Sequence, residues 1–185
     1  RDLAAAGADV IVDDIGYLGA PMFQDGVVAQ AVDEVVAGGV AYFSSAGNSA
    51  RDAFEGAFRS GTVYAFGDFS GSGENFFLGG TAHDFDPGTG VDVDQTLTVS
   101  QGSTLLLTFH WDEPYASVSG TGASNDIDIY LLNNDRSEIV ASSTNDNLND
   151  DPLEIISYEN TTNSSTLHLM VMLSGGAPPS FMKYI

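Results

Sequence analysis

The run Gly39-Val-Ala-Tyr-Phe-Ser-Ser-Ala-Gly-Asn-Ser49 ends in small residues and presents one carboxamide, Asn48, at its tip. A carboxamide so placed can donate to an oxyanion that develops during acyl transfer; the alternative role of a Gly-Asn-Ser string is to cap a turn. Carboxylates gather at spacing i, i+2 in Asp84/Asp86, Asp92/Asp94 and Asp126/Asp128. That spacing puts both members of a pair on one side of an extended strand. Ca²⁺ needs about six to eight oxygen ligands, so one pair supplies too few. Asp126 and Asp128 with loop 145–151 are the candidates for Ca²⁺, against a plain solvated acidic face, and no other cofactor is expected. His83, His110 and His168 are scattered without ligand spacing, and His110 and His168 fall where a strand's non-core face would be, as surface or rim histidines. Gly120-Thr-Gly-Ala-Ser124 precedes a strand rather than opening a helix, so its serine is assigned to a turn.

The elements that must position these groups follow from periodicity. Residues 8–12 form an apolar strand, and 27–37 carry Val27, Val28, Ala31, Val32, Val35 and Val36 on one stripe with Gln30, Asp33 and Glu34 opposite. That is the pattern of a half-buried helix, and Gly38-Gly39 stops it. Strand, helix and strand make a βαβ unit, and in open α/β sheets chemistry collects at the carboxyl ends of the strands. Parallel sheets need cover on both faces, so self-association through this incomplete sheet is expected. From residue 75 the period becomes two. Leu105, Leu107, Phe109 and Trp111 alternate with Thr104, Leu106, Thr108 and His110; Ile127, Ile129 and Leu131 alternate with Asp126, Asp128 and Tyr130; Leu167, Leu169, Val171 and Leu173 alternate with His168, Met170 and Met172. Gly, Asn and Asp clusters separate these runs, which predicts an antiparallel β-sandwich. Trp111 ends an inward-facing row and is read as core. The expected organisation is an α/β slice over 1–55, a glycine-rich connection over 56–74 and the sandwich over 75–185.

The chain has 185 residues, 26 Asp plus Glu against 5 Lys plus Arg, a formal charge of −21 and no cysteine. Such a surface repels nucleic acid and anionic membrane, so neither is an expected partner. Lack of cysteine rules out disulfides and cysteine metal sites within these residues. No run reaches the ~20 apolar residues of a membrane helix. Arg1-Asp-Leu-Ala-Ala-Ala-Gly7 reads as a helix tail and Met182-Lys-Tyr-Ile185 as strand, so a piece of a longer protein is expected.

Gly7-Ala-Asp-Val-Ile-Val-Asp-Asp-Ile-Gly16, a helix, then Ala46-Gly-Asn-Ser49 resembles the middle of a subtilisin-like serine protease. The resemblance covers about the first 50 residues. It implies that Asn48 is the oxyanion donor, that Asp14, Ile15 and Gly16 form the edge that pairs with substrate backbone, and that Ser45, Ala46 and Gly47 border the pocket beside the scissile bond. Asp13-Asp14 departs from the family's cleft strand and would favour basic substrate side chains. The family's catalytic Asp and His precede this segment and its Gly-Thr-Ser-x-Ala serine follows it; this chain has none of them. The later strands, above all Asp126-Ile-Asp-Ile-Tyr-Leu-Leu132, resemble β-sandwich modules of the prepeptidase C-terminal type carried by secreted proteases. The expectation is an α/β slice (parallel βαβ, subtilisin-like) followed by an all-β antiparallel sandwich. It would come from an extracellular endopeptidase acting on peptide or protein substrates, and the chain alone would be inactive. The alternatives are a non-catalytic module that recruits substrate, polysaccharide or propeptide, and a catalytically dead homologue.

Overall fold

A computed structural model describes residues 1–48, 52–71 and 77–185. Ser49, the last residue of the Asn48 run, and part of the expected connection lie outside the described residues. The order is α1 (Asp2–Ala5), β1 (Val10–Asp13), α2 (Val27–Ala37), β2 (Ala41–Ser44), β3 (Phe54–Gly56), β4 (Ser60–Tyr64), β5 (Ser70–Gly71), β6 (Gly80–His83), β7 (Gln95–Thr98) and β8 (Thr104–Trp111). There follow α3 (Ala116–Ser119), β9 (Asp126–Leu132), β10 (Glu138–Ser143), β11 (Leu153–Glu159), β12 (Thr166–Gly175) and β13 (Met182–Tyr184). The protein is mostly β, with antiparallel sheets, a small parallel two-stranded sheet and few helices.

The helix has the bounds that the valine stripe predicts. Gly38 closes it through its N–H to the Glu34 carbonyl, and Gly39 turns the chain at φ +93°, a conformation that costs glycine little. β1 and β2 then pair in parallel from Val10↔Ala41 to Asp13↔Ser44. Ile11 of β1 and Val35 of α2 are buried. Val10, Val12 and Phe43 alternate to the other face and stay 56, 71 and 60% exposed. The small sheet is therefore covered on one side among the described residues.

The remaining strands form two sheets, one ordered β11-β8-β13-β3 and the other β4-β6-β12-β9-β10-β5 with β7 also on β12. They share one core. Leu107, Phe109 and Trp111 from the first sheet cluster with Ile127, Ile129, Leu131, Leu167, Leu169 and Val171 from the second. Each such side chain contributes roughly 1.5–3 kcal/mol by leaving water. Trp111 is fully buried and its indole N–H donates to Asn125 Oδ1 at 2.6 Å.

The larger sheet carries a second core on its other face. Phe77, Tyr130, Leu132, Ile139, Met170 and Met172 cluster there with Tyr64, Phe69 and Val93. Phe77 lies 5.0 Å from Tyr130 and 4.8 Å from Phe69 between ring centroids, at the offset angles that aromatic rings prefer. Tyr130, Met170 and Met172, which alternation assigned to a face away from the core, are thus buried.

The described part of stretch 56–74, expected to be a connection, holds β4 and β5, and β3 ends at Gly56. β3 pairs antiparallel with β13, Phe54↔Tyr184, so the first and last strands of the β part lie side by side. The two parts of the chain meet at loop 17–24. Leu18 O accepts from His110 Nε2 at 3.2 Å, Gln24 Oε1 accepts from the Tyr115 N–H at 2.9 Å, and Phe23 meets Phe181 edge-on.

Charge opposes this fold. With 26 acidic and 5 basic side chains, most carboxylates have no cation to pair with, and their repulsion is screened as salt shortens the Debye length from about 10 Å at 0.1 M to a few ångströms above 1 M. The melting temperature is expected to rise by about 4 °C or more between low salt and about 2 M NaCl, the shift that roughly 1–2 kcal/mol produces in a chain of this size. A flat or falling melting temperature in calorimetry over that range would show that repulsion is not what limits stability.

Candidate functional site

Parallel pairing sends the carboxyl ends of β1 and β2 to the same end of the small sheet, so Asp14 and Ser45 meet there. Ser45 donates from Oγ to Asp14 Oδ1, and from its N–H to the Asp13 carbonyl at 3.2 Å. Asp13 turns back onto β2: Ser44 Oγ donates to its Oδ1 at 2.7 Å and the Tyr42 hydroxyl to its Oδ2. The two adjacent acids therefore differ. Asp13 clamps the strand pair, while Asp14 is exposed at the edge.

Ile15 is 62% exposed. Gly16 lines an open groove of ≈ 800 Å³ whose walls include Tyr17, Leu18, Val27, Val28 and Val118. Across from it, Ser45, Ala46 and Gly47 are exposed, and Gly47 turns the chain at φ +71° before Asn48. Asn48 sits at an exposed bend, and its carboxamide makes no hydrogen bond with another described residue. The candidate residues Asp14, Ile15, Gly16, Ser45, Ala46, Gly47 and Asn48 thus share one end of the sheet.

The acidic pairs serve the fold. Asp84 Oδ1 accepts the N–H groups of Asp86 and Asp92, each at 2.9 Å, and Asp86 Oδ1 that of Gly88 at 2.7 Å. The Arg59 guanidinium bonds the carbonyls of Asp84 and Asp86 from below this loop. Asp126 Oδ1 accepts the Asn147 N–H at 3.1 Å. Asp128 is fully buried; its Oδ2 accepts from the Tyr130 and Ser174 hydroxyls and its Oδ1 has no partner among the described residues. Among the described residues no group of three or more His, Cys, Asp or Glu side chains could hold a metal ion, so Asp126 and Asp128 are not joined by further acidic ligands.

All three histidines are buried, not at the surface or rim. Each is covered where it stands, His110 by loop 17–24 although Leu106 on the same face of β8 is 47% exposed, so position on the non-core side did not mean exposure. His110 lies under loop 17–24 and accepts from the Tyr115 hydroxyl at Nδ1, 2.5 Å, while Nε2–H reaches Leu18 O. His83 accepts the Arg59 N–H at Nδ1, 3.0 Å, among Phe54, Phe58 and Phe85. Burial lowers the pKa of both rings to about 4. His168 faces acceptors on both nitrogens, Asp94 Oδ1 at 2.7 Å and Asn134 O at 3.3 Å, and Arg136 grips the same Asp94 with two bonds. No local motif marks that trio, whose members come from residues 94, 136 and 168.

Glu154 was likewise not singled out from sequence. It sits on β11 on the same side as buried Ile156, fully buried, and accepts from Ser143 Oγ, the Asn145 N–H and Asn145 Nδ2. The alternation of Glu154 and Ile156 in 153–159 was the available signal. No protein-family model matches this chain, and no curated protein matches it.

Burial raises the Glu154 carboxyl to about 7 and the Asp128 carboxyl to about 6. A raised folded-state value means that the stabilising contribution is complete below the unfolded value near 4 and is lost as pH climbs through 6–7. The His83 and His110 contributions run oppositely: present above about 6.5 and lost as pH falls through 4. Glu154→Gln is therefore expected to gain stability relative to the parent chain on going from pH 5 to pH 8, measured by urea unfolding at both. An equal difference at the two pH values would mean that Glu154 does not titrate in that window.

Proposed function

We propose that this chain is part of a secreted subtilisin-like serine endopeptidase. The parent would hydrolyse peptide bonds through a seryl acyl-enzyme, with the Asn48 carboxamide donating to the oxyanion. Asp14-Ile15-Gly16 would form the edge on which substrate backbone pairs, and Ser45-Ala46-Gly47 would border the pocket beside the scissile bond. The observation that carries this reading is the parallel register of β1 and β2, which brings those two segments and Asn48, without a hydrogen bond to another described residue, to one exposed end. Donation to an oxyanion needs a donor that is not consumed by its own turn.

The β part would be a sandwich module interrupting the catalytic core after the Asn48 strand. The pairing of β3 with β13 supports this, since a module whose first and last strands are neighbours can be inserted into a host without separating the host's halves. The exposed face of Val10, Val12 and Phe43 also fits a slice that other elements of the same sheet would cover. Peptide or protein substrates would be the parent's partners, with self-association through that uncovered sheet when the slice stands alone. A second reading, a catalytically dead homologue that keeps the cleft to bind peptides, draws on Asp13, whose bonds to Tyr42 and Ser44 build an acid into the strand pair.

The chain by itself lacks the family's nucleophile and base, so a fluorophosphonate probe should leave it unlabelled; stoichiometric labelling would overturn the assignment. In the parent enzyme, Asn48→Ala should lower kcat by about 10²–10³ with little change in KM, the usual loss for one oxyanion donor. A parent gene without the Asp and His motifs upstream and Gly-Thr-Ser-x-Ala downstream would favour the dead-homologue reading instead.

A further inference from the structure

The groove that begins at Gly16 is not made by the α/β part alone. One wall is loop 16–21 with the first turn of α2; the opposite wall is Ser117 and Val118 of α3, which belongs to the β part. Tyr17, Leu18 and Val27 remain 52, 45 and 70% exposed along it. A second, smaller hollow is lined by Phe23 and Gln24 of the same loop, by Asp112 and Glu113, and by Ser119 at the end of α3 with Thr121. The bonds from His110 to Leu18 and from Tyr115 to Gln24 hold loop 17–24 against the β part, and both depressions exist because of that seam.

We propose that this seam docks an extended peptide segment that carries apolar side chains next to lysine or arginine. The apolar groove takes the first kind and the hollow with Asp112 and Glu113 the second. Charge selects the occupant. Among the described residues, no lysine or arginine lines either depression. Each described cation is engaged elsewhere: Arg1 with Glu34, Arg59 with the carbonyls of Asp84 and Asp86, Arg136 with Asp94, and Lys183 with Glu55. Among the described residues Asp112 and Glu113 bond neutral donors, Ser180 and the Phe181 N–H for the former, Ser124 and Asn125 for the latter. A cationic segment therefore meets a field that no described cation cancels, at the surface of a chain with formal charge −21. An acidic segment meets repulsion. The β part becomes a specificity element, furnishing the wall and the acids that select basic sequence. The identification of the occupant as a peptide rests on the protease reading; its charge does not.

The test is fluorescence anisotropy of this chain with a labelled eight-residue peptide of alternating leucine and lysine, against the same peptide with glutamate for lysine. The lysine peptide should bind about fivefold or more tightly, the scale of one or a few exposed charge pairs, and the difference should shrink toward twofold at about 0.5 M salt. Val118→Arg should weaken the lysine peptide about tenfold. Ser117→Arg, at an exposed position where folding is not at stake, should weaken it in the same direction. Equal affinity for the two peptides, or indifference to both substitutions, would overturn the proposal. Amide shifts on titration separate it from the protease reading. Shifts at Leu18 and Val118 with Asp14, Ser45 and Asn48 silent would support the docking seam and count against the cleft, whereas silence across 17–21 and α3 would remove the seam itself.

Discussion

Three facing rows hold the β part together: Leu107, Phe109 and Trp111 of β8 against Ile127, Ile129 and Leu131 of β9 and Leu167, Leu169 and Val171 of β12. Their contact fixes register, because a slip of one residue would turn every member of a row away from the core. It also dictates what happens on the reverse side. β9 and β12 are neighbours within the larger sheet, and the layer of Phe69, Phe77 and Tyr64 closes over their outer face. Polar side chains on that face cannot turn to water, so each must find a partner within the protein. Asp128 takes the hydroxyls of Tyr130 and Ser174, and His168 takes Asp94 and the Asn134 carbonyl. Asp128 and His168 are thus buried because β9 and β12 are covered on both faces.

The same coverage explains which features were legible in sequence. Period two in 104–111, 126–132 and 166–175 exposed the strands and their inner rows, since β-branched and aliphatic residues recur there without interruption. The helix was equally legible from its valine stripe and Gly38-Gly39 stop. The second face was not. A row such as Asp128, Tyr130 and Leu132 looks half solvated until Phe69 and Phe77, some fifty residues earlier, are brought across it. Residues 56–64 looked like the start of a connection because glycines break their period, and Phe54 and Glu55 fell at the end of the expected slice; only pairing with β13 and β6 makes strands of these segments. Those pairings span well over a hundred residues in the case of Phe54 and Tyr184, beyond any local pattern. The resemblance alone pointed to Asp14 to Gly16 and Ser45 to Asn48 as one group, but it could not divide the labour between Asp13 and Asp14. The register of β1 and β2 does so, by setting Ser44 and Tyr42 against Asp13 and leaving Asp14 to Ser45.

The α/β part obeys a different economy. Eleven helical residues and two four-residue strands bury only Ile11 and Val35 fully, besides Gly26 at the helix start. Such a unit has little core of its own, and isolated helices of this length are marginal in water. Its described attachments to the β part run through loop 17–24, where buried His110 and Tyr115 meet Leu18 and Gln24. Because His110 uses one nitrogen for Tyr115 and the other for Leu18, a neutral ring satisfies both bonds at once, and burial favours the neutral form. Loss of that ring would free the loop on which Gly16 depends. The seam therefore couples two things that sequence keeps ninety residues apart: the geometry at the mouth of the small sheet and the integrity of β8. A sheet end carried on so slight a scaffold is held in position by the neighbouring β part, through the bonds that fix loop 17–24 against β8 and Tyr115.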